Sequence, residues 1–229
     1  MNDTIGTLGL ALGSAFTAGI NLYATIAALG LAAAAGAIQL PPDLQVLSHP
    51  AVIVVALVLY VVEFFADKTP YVDSTWDAVH TFIRVPAGAI LAARTLGPVS
   101  PSLELIAVLA GGGVAFASHA TKSSARLVIN ASPEPVSNWI ASFAEDAAVL
   151  IGIWMIFNHP LAMLAFVLLF VVAVAWMAPR VWRGLRTLFR RAGGRYGGEP
   201  GNPTATTAAA QSRAPEGGGE VTLGGIQGG

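Results

Sequence analysis

The sequence has no cysteine and few charged residues, and both shortages narrow what the protein can be. Of its 229 residues, 55% are hydrophobic and only 11% are charged, whereas a soluble domain carries about 25% charged residues. Without cysteine, the chain cannot form a disulfide framework, a thiolate zinc site or an iron–sulfur cluster. The composition predicts one membrane domain of several spans, and it leaves the redox compartment open.

The sequence also lacks the common targeting and catalytic motifs. Its first residues, MNDTIGTLGL, do not include the basic region of a cleavable signal peptide, so we expect the first hydrophobic segment to be retained as a helix. There is no phosphate-binding loop, no HExxH, no GxSxG elbow and no basic, aromatic surface for nucleic acid. We therefore expect no cofactor and no nucleic-acid partner.

What the chain does contain is a series of hydrophobic segments, and crossing a bilayer takes roughly 20 mostly apolar residues. Six helices are predicted, at residues 8–35, 51–66, 74–96, 103–130, 136–157 and 161–178. Prolines fall between them, and proline disfavours helix in the residue before it. The predicted fold is an all-α polytopic membrane bundle of about six transmembrane helices.

Three regions follow from these segments and from the basic residues. Residues 1–180 are the predicted transmembrane domain, residues 181–196 a basic amphipathic juxtamembrane segment, and residues 197–229 a disordered tail rich in Gly, Pro, Ala and Thr. The basic segment either binds anionic headgroups or simply anchors the last span. Because Lys and Arg concentrate on the cytoplasmic side, both termini are predicted to be cytoplasmic, at a bacterial inner membrane.

Two pairs of short stretches suggest an internal duplication. GSAFTAGINLYAT (13–25) aligns without gaps with GVAFASHATKSSA (113–125), and EFFADK (63–68) resembles ASFAED (141–146). Two three-helix halves would have opposite orientations in the bilayer, as the inverted repeats of many transporters do. Chance similarity between helices rich in small residues explains the match equally well, so both interpretations stay open.

Polar residues recur every three or four positions on five of the six segments, which places each set on one helix face. The sets are Ser14, Thr17, Asn21 and Thr25; Glu63 and Asp67; Asp73, Asp77, His80 and Arg84; His119, Lys122, Arg126 and Asn130; and Asn138, Ser142, Glu145 and Asp146. A charge at the bilayer centre costs at least about 2.5–3.5 kcal/mol. We therefore expect the polar faces to meet in an ion-paired centre, with the apolar sixth segment outside them, facing lipid.

This centre is the predicted site for a small ion or polar solute, and transport or conduction is the predicted function. Its basic residues would hold an anionic group or pair with acids, its acids would bind a cation or protons, and its neutral residues would supply hydrogen bonds. The candidate residues are Asn21, Tyr23, Thr25, Glu63, Asp67, Lys68, Asp77, His80, Arg84, His119, Lys122, Arg126, Asn138, Ser142, Glu145 and Asp146.

Other interpretations of the same residues remain. The stripes also fit a salt-bridge layer at the cytoplasmic face, with Lys and Arg side chains reaching toward water. Ser74 and Asp77 fit the S-x-x-D pattern of a helix N-terminus, which makes a capping role for Asp77 the favoured interpretation. A membrane-embedded enzyme or metal-binding protein using His80, His119 and the acids, and a non-transporting scaffold, are the alternative functions. Faces rich in small residues permit a homo-oligomer without requiring one.

Three stretches carry a resemblance to a known family. They are SAFTAGINLYAT, ADKTPYVDSTWDAVHTFIRVPAGAILAA and HATKSSARLVINASPEPVSNWIASFAED. Together they resemble a bacterial integral-membrane family catalogued as domain of unknown function 4126, over about residues 8–178. The resemblance implies a multi-span membrane protein and assigns no chemistry to it. The stretches that carry it are also the polar ones.

Overall fold

In the computed structural model, which describes residues 2–69, 71–131 and 135–194, the chain is almost entirely helical. Its elements in chain order are α1 (Asn2–Ile20), α2 (Leu22–Ala34), a 3₁₀ helix (Pro42–Ser48), α3 (Pro50–Ala66), α4 (Val72–Thr95), α5 (Pro101–Asn130), α6 (Pro135–Asn158) and α7 (Pro160–Gly194). The all-α prediction is confirmed. The predicted tail lies outside the described residues.

Proline begins most of these helices rather than merely separating them. Pro50, Pro101, Pro135 and Pro160 are the first residues of α3, α5, α6 and α7. The first helical residue has no intrahelical partner for its N–H group, and proline already has a helical φ, so this position suits it. The predicted breaks therefore lie within a few residues of the observed helix ends.

The structure corrects three of the predicted elements. The first segment is not one helix, because Asn21 adopts an extended conformation (φ −146°, ψ 103°) and separates α1 from α2. The linker at residues 36–50 contains the 3₁₀ helix, which meets α3 at a bend of 64°. The sixth segment does not end near residue 178, because α7 continues to Gly194.

The polar helices pack closely through small residues. α1 packs against α4, α5 and α6, whereas α2 packs against α3 and the 3₁₀ helix. α4 and α5 approach closely, since a Cβ atom at Gly88 would overlap the Cβ of Ala115 and one at Gly111 would overlap the Cβ of Ala92. Small residues at such an interface let two backbones come together in a membrane protein. This approach brings the polar faces of α4 and α5 into contact.

The chain divides into two compact units, residues 1–178 and 179–229. The first contains α1 to α6 and the first part of α7. The described part of the second is the remainder of α7, in which Arg183 Nε donates a hydrogen bond of 3.1 Å to the carbonyl of Pro179.

Several helices are suited to a membrane. By length and composition, Pro101–Asn130, Val136–Asn158 and Pro160–Arg183 are long and apolar enough to cross one, and the bent pair of the 3₁₀ helix and α3 adds a fourth candidate. Large apolar side chains lie exposed, including Phe82 at 83% and Leu169 at 71%. These helices indicate a membrane-embedded protein, because water would penalise so much exposed apolar surface.

Candidate functional site

Eight ionisable side chains form one buried group, here called the inner cluster. They come from α3 and the residue after it, from α4, from α5 and from α6, and neighbouring members lie within ion-pair distance. The members are Glu63, Asp67, Asp73, Asp77, Arg84, Lys122, Arg126 and Glu145. Seven side chains are at most 3% exposed, and that of Glu145 is 16% exposed. Four of the five predicted polar faces therefore meet here, whereas Ser14 and Thr17 of α1 hydrogen-bond to carbonyls of their own helix.

Arg84 of α4 sits between two acids and a histidine. Its Nη2 bonds to Glu63 Oε1, and its Nη1 donates to Asp77 Oδ1 at 3.1 Å and to His119 Nδ1 at 3.0 Å. The Arg84 and Glu63 side chains are completely buried. Arginine suits this position because its planar guanidinium keeps its charge and offers several donors in fixed directions.

Lys122 of α5 is surrounded by four carboxylates. Its Nζ lies 2.9 Å from Asp67 Oδ2, 3.3 Å from Glu145 Oε2, 3.5 Å from Glu63 Oε1 and 3.6 Å from Asp77 Oδ1. One ammonium thus links acids from three elements. The charge of Lys122 is compensated several times over, which is what a buried cation needs.

Arg126 lies one helical turn further along α5 and binds α6. Its Nε and Nη2 donate to the two oxygens of Glu145 at 3.0 and 2.7 Å, a bidentate pair. Its Nη1 donates to the backbone carbonyls of Asp67 at 2.7 Å and Asn138 at 3.2 Å. Arg126 therefore fixes the end of α3 and the start of α6 relative to α5.

The predicted capping role of Asp77 is wrong, because α4 begins five residues earlier, at Val72. Asp73 is the acid in the first turn, and its Oδ1 accepts hydrogen bonds from Asn130 Nδ2 at 2.7 Å and from the N–H of Ser74. Neither Asp73 nor Asn130 was among the candidate residues. Both lie on the predicted stripes, so the four-residue spacing was the signal that placed them here.

The break at Asn21 is joined to α6 and α3 through Asp146. Asn21 Oδ1 accepts from the N–H of Ala24 at 2.9 Å and so caps α2, while Asn21 Nδ2 lies 3.3 Å from Asp146 Oδ1. Tyr60 donates to the other oxygen of Asp146 at 3.1 Å. Sequence reasoning missed Tyr60, since an isolated tyrosine in an apolar helix gives no signal. Asp146 is thus held by neutral donors, outside the inner cluster.

The two histidines occupy separate places. His80 Nδ1 lies 2.8 Å from the Trp76 carbonyl, and its Nε2 lies 3.1 Å from the hydroxyl of Tyr23. His119 contacts Arg84, as described above. Within the described ranges, no three histidine or acidic side chains are arranged to hold a metal ion.

Three further candidates bond locally or to neutral partners. Thr25 donates to the carbonyl of Asn21 at 2.8 Å, one helical turn away. Lys68 Nζ donates to Ser142 Oγ at 3.0 Å and lies 3.0 Å from the centre of the Phe64 ring, a cation–π contact. Lys68 lies in the turn after α3, where burial lowers the pKa of its ammonium and the charge of Asp146 opposes that shift.

A cleft of about 270 Å³ reaches the edge of the inner cluster. Its polar lining is Ser118, Thr121, Lys122 and Glu145, and its apolar lining includes Phe16 and Ile20 of α1. Glu145 is also the most exposed member of the inner cluster. The cleft therefore borders the inner cluster at Lys122 and Glu145, although its exposed lining is almost entirely apolar.

Several oxygens of the inner cluster have no hydrogen-bond partner within the described part of the chain. They are Glu63 Oε2, Asp67 Oδ1, Asp73 Oδ2 and Asp77 Oδ2. Each belongs to a carboxylate whose other oxygen is engaged. Buried polar atoms in proteins are nearly always satisfied, so these four oxygens mark where further hydrogen-bonding groups or protons are expected.

Taken together, the fold and this site define a helical membrane-embedded protein built around a buried network of ion pairs. The chain belongs to the family described as Domain of unknown function (DUF4126), whose profile matches residues 8–180. The resemblance carried by the polar stretches is thereby confirmed. Comparison with curated proteins and with solved structures finds no match.

Proposed function

We propose that the protein moves a small ion or polar solute across a membrane through the inner cluster. One observation carries this proposal: a dense, nearly inaccessible set of charges lies among apolar helices and is reached by a cleft at Lys122 and Glu145. Ionisable side chains within a membrane protein are costly, and those that are kept generally serve ions, protons or polar substrates.

The geometry supports different roles for the two kinds of charge. Arg84, Lys122 and Arg126 pair with acids in this state and are available to an anionic group when those pairs open. The acids Glu63, Asp67, Glu145 and Asp146 bind a cation or protons. Asn21, Tyr23 and Ser142 supply neutral hydrogen bonds, while Thr25 stabilises the start of α2.

The proposed membrane arrangement has six spans. α1 and α2 together form one broken span, and α4 crosses despite its charges because its polar face is covered by α5 and α3. Broken helices at membrane depth recur in transporters at sites that bind ions. The two three-helix halves are proposed as inverted repeats, although Thr121, which aligns with Asn21, lies within the unbroken α5. Both termini are placed in the cytoplasm of a bacterium.

The cleft favours transport over the alternative functions. A scaffold needs only packed ion pairs, whereas here a surface cleft borders Lys122 and Glu145. An enzyme or metal-binding protein would bring His80 and His119 together with carboxylates, whereas His80 bonds to Tyr23 and Trp76.

The test is flux through the purified protein in liposomes. Charge movement is recorded under gradients of protons, sodium, potassium, chloride and bicarbonate, for the wild type and for the variants Lys122→Met and Glu145→Gln. The matched control is Glu104→Gln, which changes an exposed acid on the same helix as Lys122. We expect flux of one ion in the wild type and the control, and its loss in at least one of the cluster variants.

Folding must be shown for each variant, since both cluster substitutions remove a partner from a buried pair. Absence of flux for the whole panel in folded wild-type protein, together with no uptake of neutral polar solutes, would overturn the proposal. Equal flux in the wild type and in both folded cluster variants would show that the ion passes elsewhere.

A further inference from the structure

The inner cluster contains more acids than bases. Its acids are Glu63, Asp67, Asp73, Asp77 and Glu145, and its bases are Arg84, Lys122 and Arg126. With every group ionised it would carry two surplus negative charges. Uncompensated charge in an apolar interior is strongly unfavourable, and a buried acid normally gains a proton instead.

The distances show which acids lack a cation of their own. Arg126 binds both oxygens of Glu145, and the closest partner of Lys122 is Asp67, at 2.9 Å. Asp73 is compensated differently, because it lies in the first turn of α4 and accepts from neutral donors. The N-terminus of a helix stabilises a negative charge.

Among the described residues, Arg84 is therefore the one cation that hydrogen-bonds to both Glu63 and Asp77. Each carboxylate contacts Arg84 through one of its oxygens. Lys122 Nζ lies further away, 3.5 Å from Glu63 Oε1 and 3.6 Å from Asp77 Oδ1. The second oxygens, Glu63 Oε2 and Asp77 Oδ2, have no hydrogen-bond partner among the described residues. The two side chains are at most 1% exposed. Neither carboxylate therefore faces bulk solvent.

His119 does not supply the missing positive charge. Arg84 Nη1 can only donate, so His119 Nδ1, 3.0 Å away, must accept. The proton of a neutral imidazole is then on Nε2, which lies 3.0 Å from the Asp77 carbonyl and 2.8 Å from Thr81 Oγ1. A protonated His119 would place two donors face to face. His119 is therefore neutral while Arg84 occupies this position.

We propose that Glu63 and Asp77 share one bound proton around Arg84, and that this proton is the ion coupled to transport. In loading, a hydronium ion gives up a proton to a carboxylate oxygen of the pair: one O–H bond of hydronium breaks, one O–H bond forms on the carboxyl group, and the cluster charge rises by one. Release breaks that bond and transfers the proton to a water molecule, which becomes hydronium. The coupling rests on the proposed function, whereas the presence of the proton does not.

The pair is surrounded by charged and titratable neighbours from every element that contributes to the site. They are Tyr23 of α2, Tyr60 of α3, Asp67 and Lys68 after α3, Asp73, His80 and Arg84 of α4, His119, Lys122 and Arg126 of α5, and Glu145 and Asp146 of α6. Lys122 joins the pair to Glu145, and both Lys122 and Glu145 line the cleft.

Infrared spectroscopy of the protein in lipid bilayers detects this proton directly. A protonated carboxylic acid has a carbonyl stretching band that a carboxylate lacks, and ¹³C labelling of Asp and Glu carboxyls assigns it. We expect the band in the wild type at neutral pH, its loss in Glu63→Gln and in Asp77→Asn, and its retention in Glu104→Gln. Each cluster variant removes the surplus acid and leaves the other ionised beside Arg84, so both should fold.

The outcomes separate this inference from the proposed function. Absence of the band in the wild type, or its retention in both cluster variants, would overturn the shared proton. If only one variant folds, that variant decides, because the proton is shared.

Proton movement is followed in liposomes loaded with a pH-sensitive dye. The band without any flux would overturn transport but not the bound proton, and flux that follows only a sodium gradient would overturn the coupling.

Discussion

α5 and α7 are both long and apolar enough to cross a membrane, yet they differ in where they place their charges. In α5, 44% of the residues in the most apolar stretch are buried. The side chains of Lys122 and Arg126 point into the protein, where they pair with acids. In α7, 11% of that stretch is buried, and the arginines come only after it, from residue 180 onward. A helix can carry charges at depth only where other helices supply their partners.

This difference between α5 and α7 is tested most directly by replacing one arginine in each helix. Arg126→Met leaves Glu145 without its bidentate partner and two backbone carbonyls without their donor. Breaking a buried pair by removing one member costs about 3–5 kcal/mol. We expect the free energy of unfolding to fall by this amount, measured by thermal and denaturant unfolding in detergent.

The matched control is Arg183→Met on α7, where the arginine is exposed. Exposed substitutions usually change stability by less than about 0.5 kcal/mol. A similar loss in both variants would show that burial of the charge is not what distinguishes the two helices.

A second pair of substitutions compares the two faces of α7 itself. Met163 is 1% exposed and packs toward α1, where a Cβ at Gly13 would lie 3.0 Å from it, whereas Leu169 is 71% exposed. Truncating a buried methionine to alanine costs about 2–5 kcal/mol. We expect Met163→Ala to lower the free energy of unfolding within that range.

Leu169→Ala is the control for that substitution. Its side chain faces the surroundings in the folded protein, so its truncation should change stability little. Equal losses would mean that α7 buries both faces in a larger assembly, and the oligomeric state in detergent would then be measured by light scattering.

The helix positions were largely predictable, because proline and hydrophobic length limit where a helix can lie. The break at Asn21 was not predicted, since one residue in an apolar run gives no change in hydropathy. Its signal was chemical: asparagine is among the residues preferred at a helix N-cap. α7 joins the sixth segment to the predicted basic amphipathic segment in one helix, because arginine changes the hydropathy of a segment without ending its helix.

The contacts of the site were also predictable only in part. Spacing of three and four predicted which side chains share a face, so Arg84, Lys122 and Arg126 were expected to meet acids. Spacing along one helix does not set the register between helices. It therefore could not tell that Arg84 of α4 meets Glu63 of α3, or that Arg126 of α5 binds both oxygens of Glu145 in α6. Those contacts depend on how far each helix slides along its neighbour.

The smallest expected effect concerns two glycines of α5 that differ only in what faces them. A Cβ at Gly111 would overlap the Cβ of Ala92 and lie 2.8 Å from the carbonyl of Gly88, whereas a Cβ at Gly113 meets nothing within 4 Å. We expect Gly111→Ala to destabilise by about 1–3 kcal/mol, as overpacking does. Gly113→Ala should be neutral or stabilise by up to about 1 kcal/mol, because alanine favours helix.

Unfolding of both variants in detergent measures the difference. Equal stability would mean that α4 and α5 can separate without loss, and close packing would then not explain how the buried charges of α5 are held against α4.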